Sequence, residues 1–364
     1  MARSFFRRCL LSFAALCFVG AACAGVGFAE VPPPVLMQMI RDDAVHRELD
    51  LSDDQIDAVM AVLDEVDGPW FRVRIRPEDE QVRVIDGLQE SVRQKLASIL
   101  QPRQLNRMQQ LERQALGTRM FVRDDVAKLL KITPTQQSKM QAVFDETDAK
   151  SSELNQKVVK LEMQADEAAK QTAGLKDRER KRIVAMLEPS QMQRLGEATG
   201  EAFDFSKVLR TYPRAPELVA KGTTWVQGSP VQLSDLRGKV VAVHFYAFQC
   251  INCKRNLPHY NGWFKDYADD GLVVIGIQTP ETSAERDAQR VTEALADGGQ
   301  QYSVMLDSDS ENWKAYSNTM WPTVYLIDKK GFLRRWWQGE LNWQGATGEQ
   351  QLRQNIEQLL AEEG

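Results

Sequence analysis

The sequence predicts two parts of different fold class: an all-α N-terminal repeat domain and a C-terminal α/β domain. Residues 35–205 carry apolar side chains at helical spacing with almost no strand signal, and strand and helix patterns alternate after residue 205. A length of 364 residues suits two domains, and a hydrophobic content of 43% is enough for their cores. The net charge of −5 gives no reason to expect nucleic acid or an anionic membrane surface as a partner.

The N-terminus has the pattern of a secretory signal peptide over residues 1–29. A basic start is followed by an apolar run from Cys9 to Ala22, which is too short for a comfortable membrane span. Small residues permit cleavage after Ala24 or after Ala29, and the proline-rich stretch that follows favours the second site. We therefore expect an exported protein, in the periplasm or another extracytoplasmic space. A membrane anchor formed by an uncleaved signal is the alternative.

The cysteines give the strongest compositional signal. There are five of them: Cys9, Cys17, Cys23, Cys250 and Cys253. The first three lie in the predicted signal peptide, so the mature chain would keep a single Cys-x-x-Cys pair. Such a pair closes a very short loop and constrains the unfolded chain little. In an exported protein, where disulfides persist, the pair indicates a redox role rather than a purely structural disulfide.

The helical domain, expected over residues 30–205, contains an internal repeat. Residues 45–55 match 126–136, and residues 99–104 match 186–191. Residues that cap or start helices recur in both copies: Ser52, Pro102, Thr133, Pro134 and Pro189. The Leu-Ser-x-x-Gln and Ile-Thr-x-x-Gln turns resemble those of Spy/CpxP-like periplasmic helical proteins, although capping chemistry alone also selects these residue types. We expect the two copies to pack on each other.

A proline-rich stretch around Pro213 marks a linker over residues 206–214, and the α/β domain follows over 215–364. Apolar runs and turn signals predict a hairpin-like stretch at 225–233. They also predict five strands, at 240–246, 272–278, 303–306, 323–328 and 332–338. Helices fit at 251–268, 283–297, 309–318 and 347–362. Because the pattern changes abruptly at the linker, we expect the two halves to fold independently.

The candidate site is the Cys-Ile-Asn-Cys motif that runs from Cys250 to Cys253. It follows the predicted strand at 240–246 and opens the next helix, whose N-terminal N–H groups and dipole favour a thiolate at Cys250. Cys253 lies one turn inward on the same face, so it can attack a mixed disulfide on Cys250 and release the partner. We therefore predict that Cys250 is the attacking thiol and Cys253 the resolving thiol.

These residues resemble the TlpA/ResA-like exported branch of the thioredoxin fold, and in more detail its DipZ-like and NHL-repeat-associated group. The resemblance covers residues 215–364 and rests on Cys-Ile-Asn-Cys, Leu257-Pro258, Thr279-Pro280-Glu281 and Trp321-Pro322. It implies a thioredoxin-like domain and a thiol–disulfide oxidoreductase that reduces, oxidises or exchanges protein disulfides, with no cofactor and no metal. Its partners would be disulfide-containing or dithiol proteins and a membrane-bound or exported electron donor or acceptor.

The resemblance also implies roles for residues near the dithiol. Pro322 takes the family's cis-proline position, which would place the Trp321 backbone beside Cys250 to bind an extended substrate. An ordinary trans proline at the start of a strand is the alternative. The sequence departs from the family pattern at Gln249, where an aromatic or small residue is usual, and at Asn256, where ResA-like members have an acid.

His244 is a third departure, because it stands where thioredoxins bury an acidic residue six positions before the first cysteine. In the expected register of the strand, its side chain lies beneath the dithiol. A neutral imidazole there could accept the proton of Cys253, and an imidazolium would stabilise the thiolate and make the pair more oxidising. His244 is therefore a candidate proton carrier, and a histidine that only packs in the core is the alternative.

Other function classes stay open at this point. One is a non-catalytic redox-sensing scaffold whose helical domain binds a partner, and reduction of a disulfide substrate would separate it from an enzyme. Another is a Sco-like copper-binding protein, which would combine the two cysteines with a histidine such as His259, although that group spaces its cysteines differently. A peroxiredoxin is disfavoured because residues 245–249 lack the threonine and proline that precede its reactive cysteine.

Overall fold

The computed structural model describes residues 34–160 and 162–363. The predicted signal peptide, its cleavage sites and its three cysteines lie outside the described residues. The chain divides into two compact units: the first contains Arg76–Thr211 and the described residues up to Leu63, and the second contains Asp64–Ile75 and Tyr212–Gly364. Within the described ranges, no helix combines the length and the apolar character that crossing a membrane requires.

The N-terminal part of the chain is helical. Its nine helices in the described ranges, numbered α1 to α9, are Val35–Met39, Asp43–Glu48, Asp53–Val73, Glu78–Ile99, Pro102–Leu116, Asp124–Leu130, Pro134–Val159, Ala165–Val184 and Pro189–Thr199. Helix α7 begins as the sequence predicts, because the Thr133 side chain accepts the N–H of Gln136 and Pro134 follows at the first helical position.

Two pairs of glutamines make the same hydrogen bonds in the first unit. The Gln55 side-chain amide donates to Gln104 at 2.8 Å, and that of Gln136 donates to Gln191 at 2.9 Å. Gln104 also donates to the Asp50 carbonyl, at the turn before α3. In the same way, Gln191 donates to the Lys131 carbonyl, at the turn before α7. Both turn residues have positive φ, of 53° and 55°. These matched bonds join the motifs that recur in the sequence, and they support the predicted repeat.

The C-terminal part of the chain is an α/β domain. Its strands β1 to β6 are Thr223–Gln227, Val240–Tyr246, Leu272–Gln278, Ser303–Asp307, Thr323–Ile327 and Leu333–Gln338. Its α-helices α10 to α13 are Ile251–Tyr267, Ala288–Asp297, Glu311–Ala315 and Gly348–Ala361. The strands form one mixed sheet in the order β1-β4-β3-β2-β5-β6, in which β2, β3 and β4 are parallel and the other neighbours antiparallel. The predicted fold class, helical first and α/β second, is confirmed.

Two predicted elements of this domain differ from the structure. The hairpin-like stretch at 225–233 is wrong, because β1 pairs with β4 and a 3₁₀ turn at Leu233–Leu236 follows in place of a second strand. The helix predicted at 283–297 is interrupted at Asp287, whose side chain accepts two N–H groups and starts α11 afresh. The first difference arises from long-range strand pairing and the second from a local side-chain cap, and apolar periodicity reports neither.

The central sheet has a packed cluster of side chains on each face. The first, which we call the dithiol-side cluster, contains Cys253, Tyr246 and Tyr260, with Cys250 at its edge. The second lies on the other face and contains Phe245, Tyr316 and Tyr325 from the α/β domain. Residues alternate between the two clusters along β2, as the pleat of a strand requires. The dithiol therefore belongs to one face of the sheet only.

A segment from early in the chain completes the second cluster. Phe71, in the Asp64–Ile75 segment of the second unit, is 4% exposed, and its ring lies 6.3 Å from Tyr316 and 6.2 Å from Tyr325. The Arg74 guanidinium lies 3.7 Å from the centre of the Phe71 ring and donates to the Ser317 carbonyl at 3.2 Å. The domain boundaries at 205 and 214 stay predictions, and a fragment that begins near residue 205 would lack this segment.

We expect Phe71→Ala to destabilise the second unit by about 3–5 kcal/mol, because truncation of a buried phenylalanine removes apolar contacts and leaves a cavity. Urea unfolding followed by alkylation of Cys253 would measure the change. Ile75→Ala is the matched control, since Ile75 lies in the same segment but is 46% exposed, and it should cost less than about 0.5 kcal/mol. Equal losses in the two variants would contradict the packing role of Phe71.

Candidate functional site

The Cys-x-x-Cys motif lies where the sequence places it, between a strand and a helix. Strand β2 ends at Tyr246, and a turn follows in which the Cys250 N–H donates to the Ala247 carbonyl at 3.1 Å. Helix α10 then begins at Ile251, with Cys250 in the N-cap position. Cys250 is half-buried, and both thiols are free. The first cysteine is thus at the surface end of the motif, beside the N–H groups of a helix N-terminus.

Cys253 lies beneath its partner. Its side chain is 1% exposed and packs in the dithiol-side cluster with Leu257 and Tyr260. Burial raises the pKa of the Cys253 thiol well above its ordinary value, and a hydrogen bond with Cys250 acts in the same direction. The arrangement gives one accessible sulfur and one that is kept protonated, as an attacking and a resolving thiol require.

His244 lies among aromatic rings on the same face of the sheet. Its ring stacks on Tyr260 at 4.3 Å between centres, and it lies 5.0 Å from Tyr246 and 5.4 Å from Tyr302. Gly276 is its partner on β3, where a Cβ atom would come within 3.1 Å of the His244 Nε2 atom. Among the described residues, neither ring nitrogen has a hydrogen-bond partner. The same sheet face that carries the dithiol thus holds a histidine in an almost wholly apolar environment.

Burial lowers the pKa of His244 to about 3. A charge on this ring would have neither solvent nor an acidic partner, so of the two forms considered from the sequence the site favours the neutral imidazole near neutral pH. The imidazole is neutral, and it is a weak base at this position. A neutral ring does not stabilise a thiolate, so His244 does not make the pair more oxidising.

Trp321 and Pro322 precede β5, the strand that pairs with β2. The peptide bond between them is cis, as the family resemblance implies. The Trp321 ring packs against the dithiol-side cluster, as Cys250 does, and lies 4.2 Å from the ring of Trp313. The Pro322 carbonyl accepts the N–H of Gly339 at 2.7 Å. The structure thus brings Trp321 and the dithiol to the same cluster.

Asn256 lies one turn after Cys253 and is 2% exposed. Its side-chain amide donates to the Tyr260 hydroxyl at 3.2 Å and to the Gly339 carbonyl at 3.1 Å, and its oxygen accepts the Leu341 N–H at 3.0 Å. An amide satisfies both the carbonyl and the N–H of this loop, which an ionised carboxylate cannot do because it only accepts. Asn256 therefore has a structural role that explains the departure from the family pattern.

Glu285 is a residue of the site that the sequence analysis missed. Its carboxylate is fully buried and accepts three backbone N–H groups: from Gln249 at 2.8 Å, Glu281 at 2.7 Å and Thr282 at 2.9 Å. The Thr282 hydroxyl also donates to the Gln249 side chain at 2.8 Å. The only signal in the sequence is the Thr-x-x-Glu spacing of a capping box, which indicates a helix start and says nothing of the neighbouring loop.

His259, the histidine considered for a copper site, interacts with the Asn342 side chain at 3.4 Å. Among residues 34–160 and 162–363, no three or more His, Cys, Asp or Glu side chains come together in a way that could hold a metal ion. The structure therefore does not bring His259 and the two cysteines into one ligand set.

Known proteins resemble the second half of the chain. Residues 213–336 match the AhpC/TSA family. Protein DipZ of Mycobacterium bovis is 42% identical over 135 residues, which are 36% of this chain and 19% of DipZ, so the chain spans about a fifth of that relative. The thiol–disulfide oxidoreductase YkuV of Bacillus subtilis is 27% identical over 147 residues, covering 40% of this chain and 94% of YkuV. A solved thiol–disulfide isomerase from Corynebacterium glutamicum is 24% identical, over 41% of this chain and 98% of that one, with a TM-score of 0.36.

The lowered pKa of His244 predicts a loss of stability in mild acid. In the unfolded chain the imidazole has its ordinary pKa of 6.5, whereas in the folded chain its pKa is about 3. Between these values the unfolded state binds more protons, so the free energy of unfolding falls as the pH drops below 6.5. Relative to that of His244→Phe, the free energy of unfolding of the wild type should fall by about 2 kcal/mol between pH 7 and pH 5.

Urea unfolding at pH 5, 6 and 7 would measure this difference, because the phenylalanine variant shares every other titrating group. His244→Gln serves as a second neutral variant and should behave like His244→Phe. Parallel stability curves for the wild type and both variants would show that His244 titrates normally, and would contradict its burial as a neutral group.

Proposed function

We propose that this chain, whose C-terminal domain is that of a thioredoxin-like thiol–disulfide oxidoreductase, exchanges disulfides with other proteins through Cys250 and Cys253. The observation that carries the proposal is the pairing of a half-buried thiol at the start of α10 with a buried thiol one turn later. A structural disulfide would not need one sulfur to stay accessible. The thiol–disulfide oxidoreductase YkuV, which matches this domain, supports the same reaction class.

The reaction would run in two exchange steps. The Cys250 thiolate attacks one sulfur of a substrate disulfide, and the other substrate sulfur leaves as a thiolate and takes up a proton. Cys253 then loses its proton and attacks the Cys250 sulfur, which releases the second substrate thiol. Two electrons and two protons pass to the substrate, and a Cys250–Cys253 disulfide remains. An external dithiol protein would reduce it again.

Narrower roles follow for the residues around the pair. The Trp321 backbone, next to Pro322, would hold an extended substrate segment beside Cys250 by main-chain hydrogen bonds. His244 would accept the Cys253 proton in the second step only after a movement that brings its ring to the sulfur, because its nitrogens have no hydrogen-bond partner among the described residues and burial makes it a weak base. The alternative is that His244 only packs in the core. The rate at which the mixed disulfide is resolved distinguishes proton transfer from packing.

The setting of the reaction is also part of the proposal. A signal peptide over residues 1–29 would export the chain, where a lone Cys-x-x-Cys pair can cycle through its disulfide. The electron donor or acceptor would then be a membrane-bound or exported dithiol protein. The alternative is a non-catalytic redox-sensing scaffold whose helical domain binds a partner, and it would not turn over a substrate.

We expect Cys253→Ser to accumulate mixed disulfides with substrate proteins, because the resolving thiol is gone while Cys250 stays accessible. Cys250→Ser should not accumulate them, since the remaining Cys253 thiol is buried and protonated. Non-reducing electrophoresis after incubation with a disulfide-containing protein such as insulin would measure the trapped complex. Equal trapping by the two variants would contradict the assignment of roles.

Reduction of insulin also tests whether the protein turns over its substrate and whether His244 takes part in the reaction. Wild type with a thiol reductant should reduce insulin catalytically, and stoichiometric reaction without turnover would favour the scaffold. In His244→Phe, with both cysteines intact, the release of the mixed disulfide should slow about tenfold or more if His244 takes the proton. An unchanged release rate would leave His244 with packing alone.

A further inference from the structure

We propose that Arg74 is a positioning residue for the loop from Tyr316 to Pro322, which we call the substrate loop, and that it thereby strengthens the binding of protein substrates. This inference rests on the proposed function, in which the Trp321 backbone holds a substrate segment beside Cys250. Arg74 lies in the Asp64–Ile75 segment of the second unit. A side chain from early in the chain thus supports a loop of the redox site.

The Arg74 guanidinium joins the end of helix α3 to this loop. One of its Nη atoms donates to the Phe71 carbonyl at 2.7 Å, in the last turn of the helix. The other donates to the carbonyls of Tyr316 and Ser317, the second at 3.2 Å. The same atom donates to the Tyr325 hydroxyl at 3.1 Å. A planar guanidinium presents its N–H groups in fixed directions, so it holds the helix end and the loop in one geometry.

The base of the substrate loop is buried and has an uncommon backbone conformation. Tyr316 is fully buried, and Ser317 is 8% exposed. Ser317 has a φ of 47°, in the left-handed region that residues with a side chain seldom adopt. This turn presents two successive carbonyls to one guanidinium, and a buried carbonyl without a donor is costly. Arg74 therefore stabilises the turn at which the loop begins.

A series of contacts leads from this base to Trp321. The Tyr325 hydroxyl, which accepts from Arg74, donates to the Asn318 side chain at 2.6 Å. The Asn318 N–H donates to the Trp313 carbonyl at 3.0 Å. The Trp313 ring in turn lies 4.2 Å from the Trp321 ring, which packs against the dithiol-side cluster. Loss of the Arg74 contacts would therefore displace the Trp321 backbone, while the two cysteines keep their own turn and helix.

The consequence differs between protein substrates and small disulfides. A protein substrate has a peptide backbone that the main chain of the loop can bind, whereas a small disulfide without peptide groups needs only the Cys250 sulfur. A shift of a binding group by about 1 Å can slow a reaction by as much as about a hundredfold. The Arg74 contacts therefore matter for the reduction of proteins and leave the intrinsic reactivity of the dithiol unchanged.

The test compares insulin with hydroxyethyl disulfide as substrates of the full chain. Arg74→Met keeps an apolar side chain beside the Phe71 ring but removes every N–H donor, so the KM for insulin should rise about tenfold while kcat changes less than about twofold. The rate constant of the reduced protein with hydroxyethyl disulfide, measured in a single turnover, should change less than about twofold. Arg74→Lys keeps the charge but loses the planar fork, so it should raise the KM for insulin only about threefold.

Arg72→Met is the matched control, because Arg72 lies in the same segment but is exposed. It should change neither rate constant by more than about twofold. Equal losses with insulin and hydroxyethyl disulfide in Arg74→Met would mean that Arg74 only supports the fold, and would overturn the positioning role. An unchanged KM for insulin would also overturn it. A wild type that reduces neither substrate would overturn the proposed function itself, which is a separate outcome.

Tyr325→Phe tests the same contacts if Arg74→Met does not fold. It keeps the ring and removes only the hydroxyl that accepts from Arg74 and donates to Asn318. The KM for insulin should rise about threefold, with no change for hydroxyethyl disulfide. Combined with Arg74→Lys, the rise should be smaller than the product of the two single changes, because both side chains act through one network. A combined rise equal to that product, or equal slowing with both substrates, would overturn the positioning role.

Discussion

Burial of the Cys253 thiol is the constraint on which the arrangement of the redox domain depends. The sulfur lies at the inner end of a motif whose outer end is at the surface, between a parallel pair of strands and the helix that covers them. A buried thiol resists ionisation, so it stays inert until a mixed disulfide forms beside it. The proposed order of the two exchange steps is based on the different burial of two residues three positions apart.

The neighbours of the dithiol are consistent with that constraint. His244 is neutral because it is surrounded by aromatic rings, and Asn256 offers an amide where an acid would leave a carbonyl without a donor. The buried carboxylate of Glu285 accepts the Gln249 N–H, so it holds the residue directly before Cys250. The neighbours of the dithiol are thus a neutral ring, an amide, and a carboxylate whose oxygens accept backbone N–H groups.

The sequence predicted the fold class and the position of the dithiol because both depend on local patterns. The apolar run of β2 and the Cys-x-x-Cys spacing lie next to each other in the chain. The state of His244 could not be predicted, since it depends on Tyr260, in α10, and on Tyr302, directly before β4. Glu285 and Phe71 escaped for the same reason: their partners are tens to hundreds of residues away.

The reduction potential of the wild-type Cys250–Cys253 pair tests the account most directly. Equilibration of the full chain with glutathione or dithiothreitol, with the dithiol and disulfide forms separated by alkylation, gives this value without any assumption about substrate. A dithiol whose inner thiol is buried and protonated, on the same sheet face as a neutral His244, predicts a potential close to that of thioredoxin, about −270 mV. A value near that of a strong oxidant such as DsbA, about −120 mV, would mean that the reduced form is stabilised, and would contradict the account.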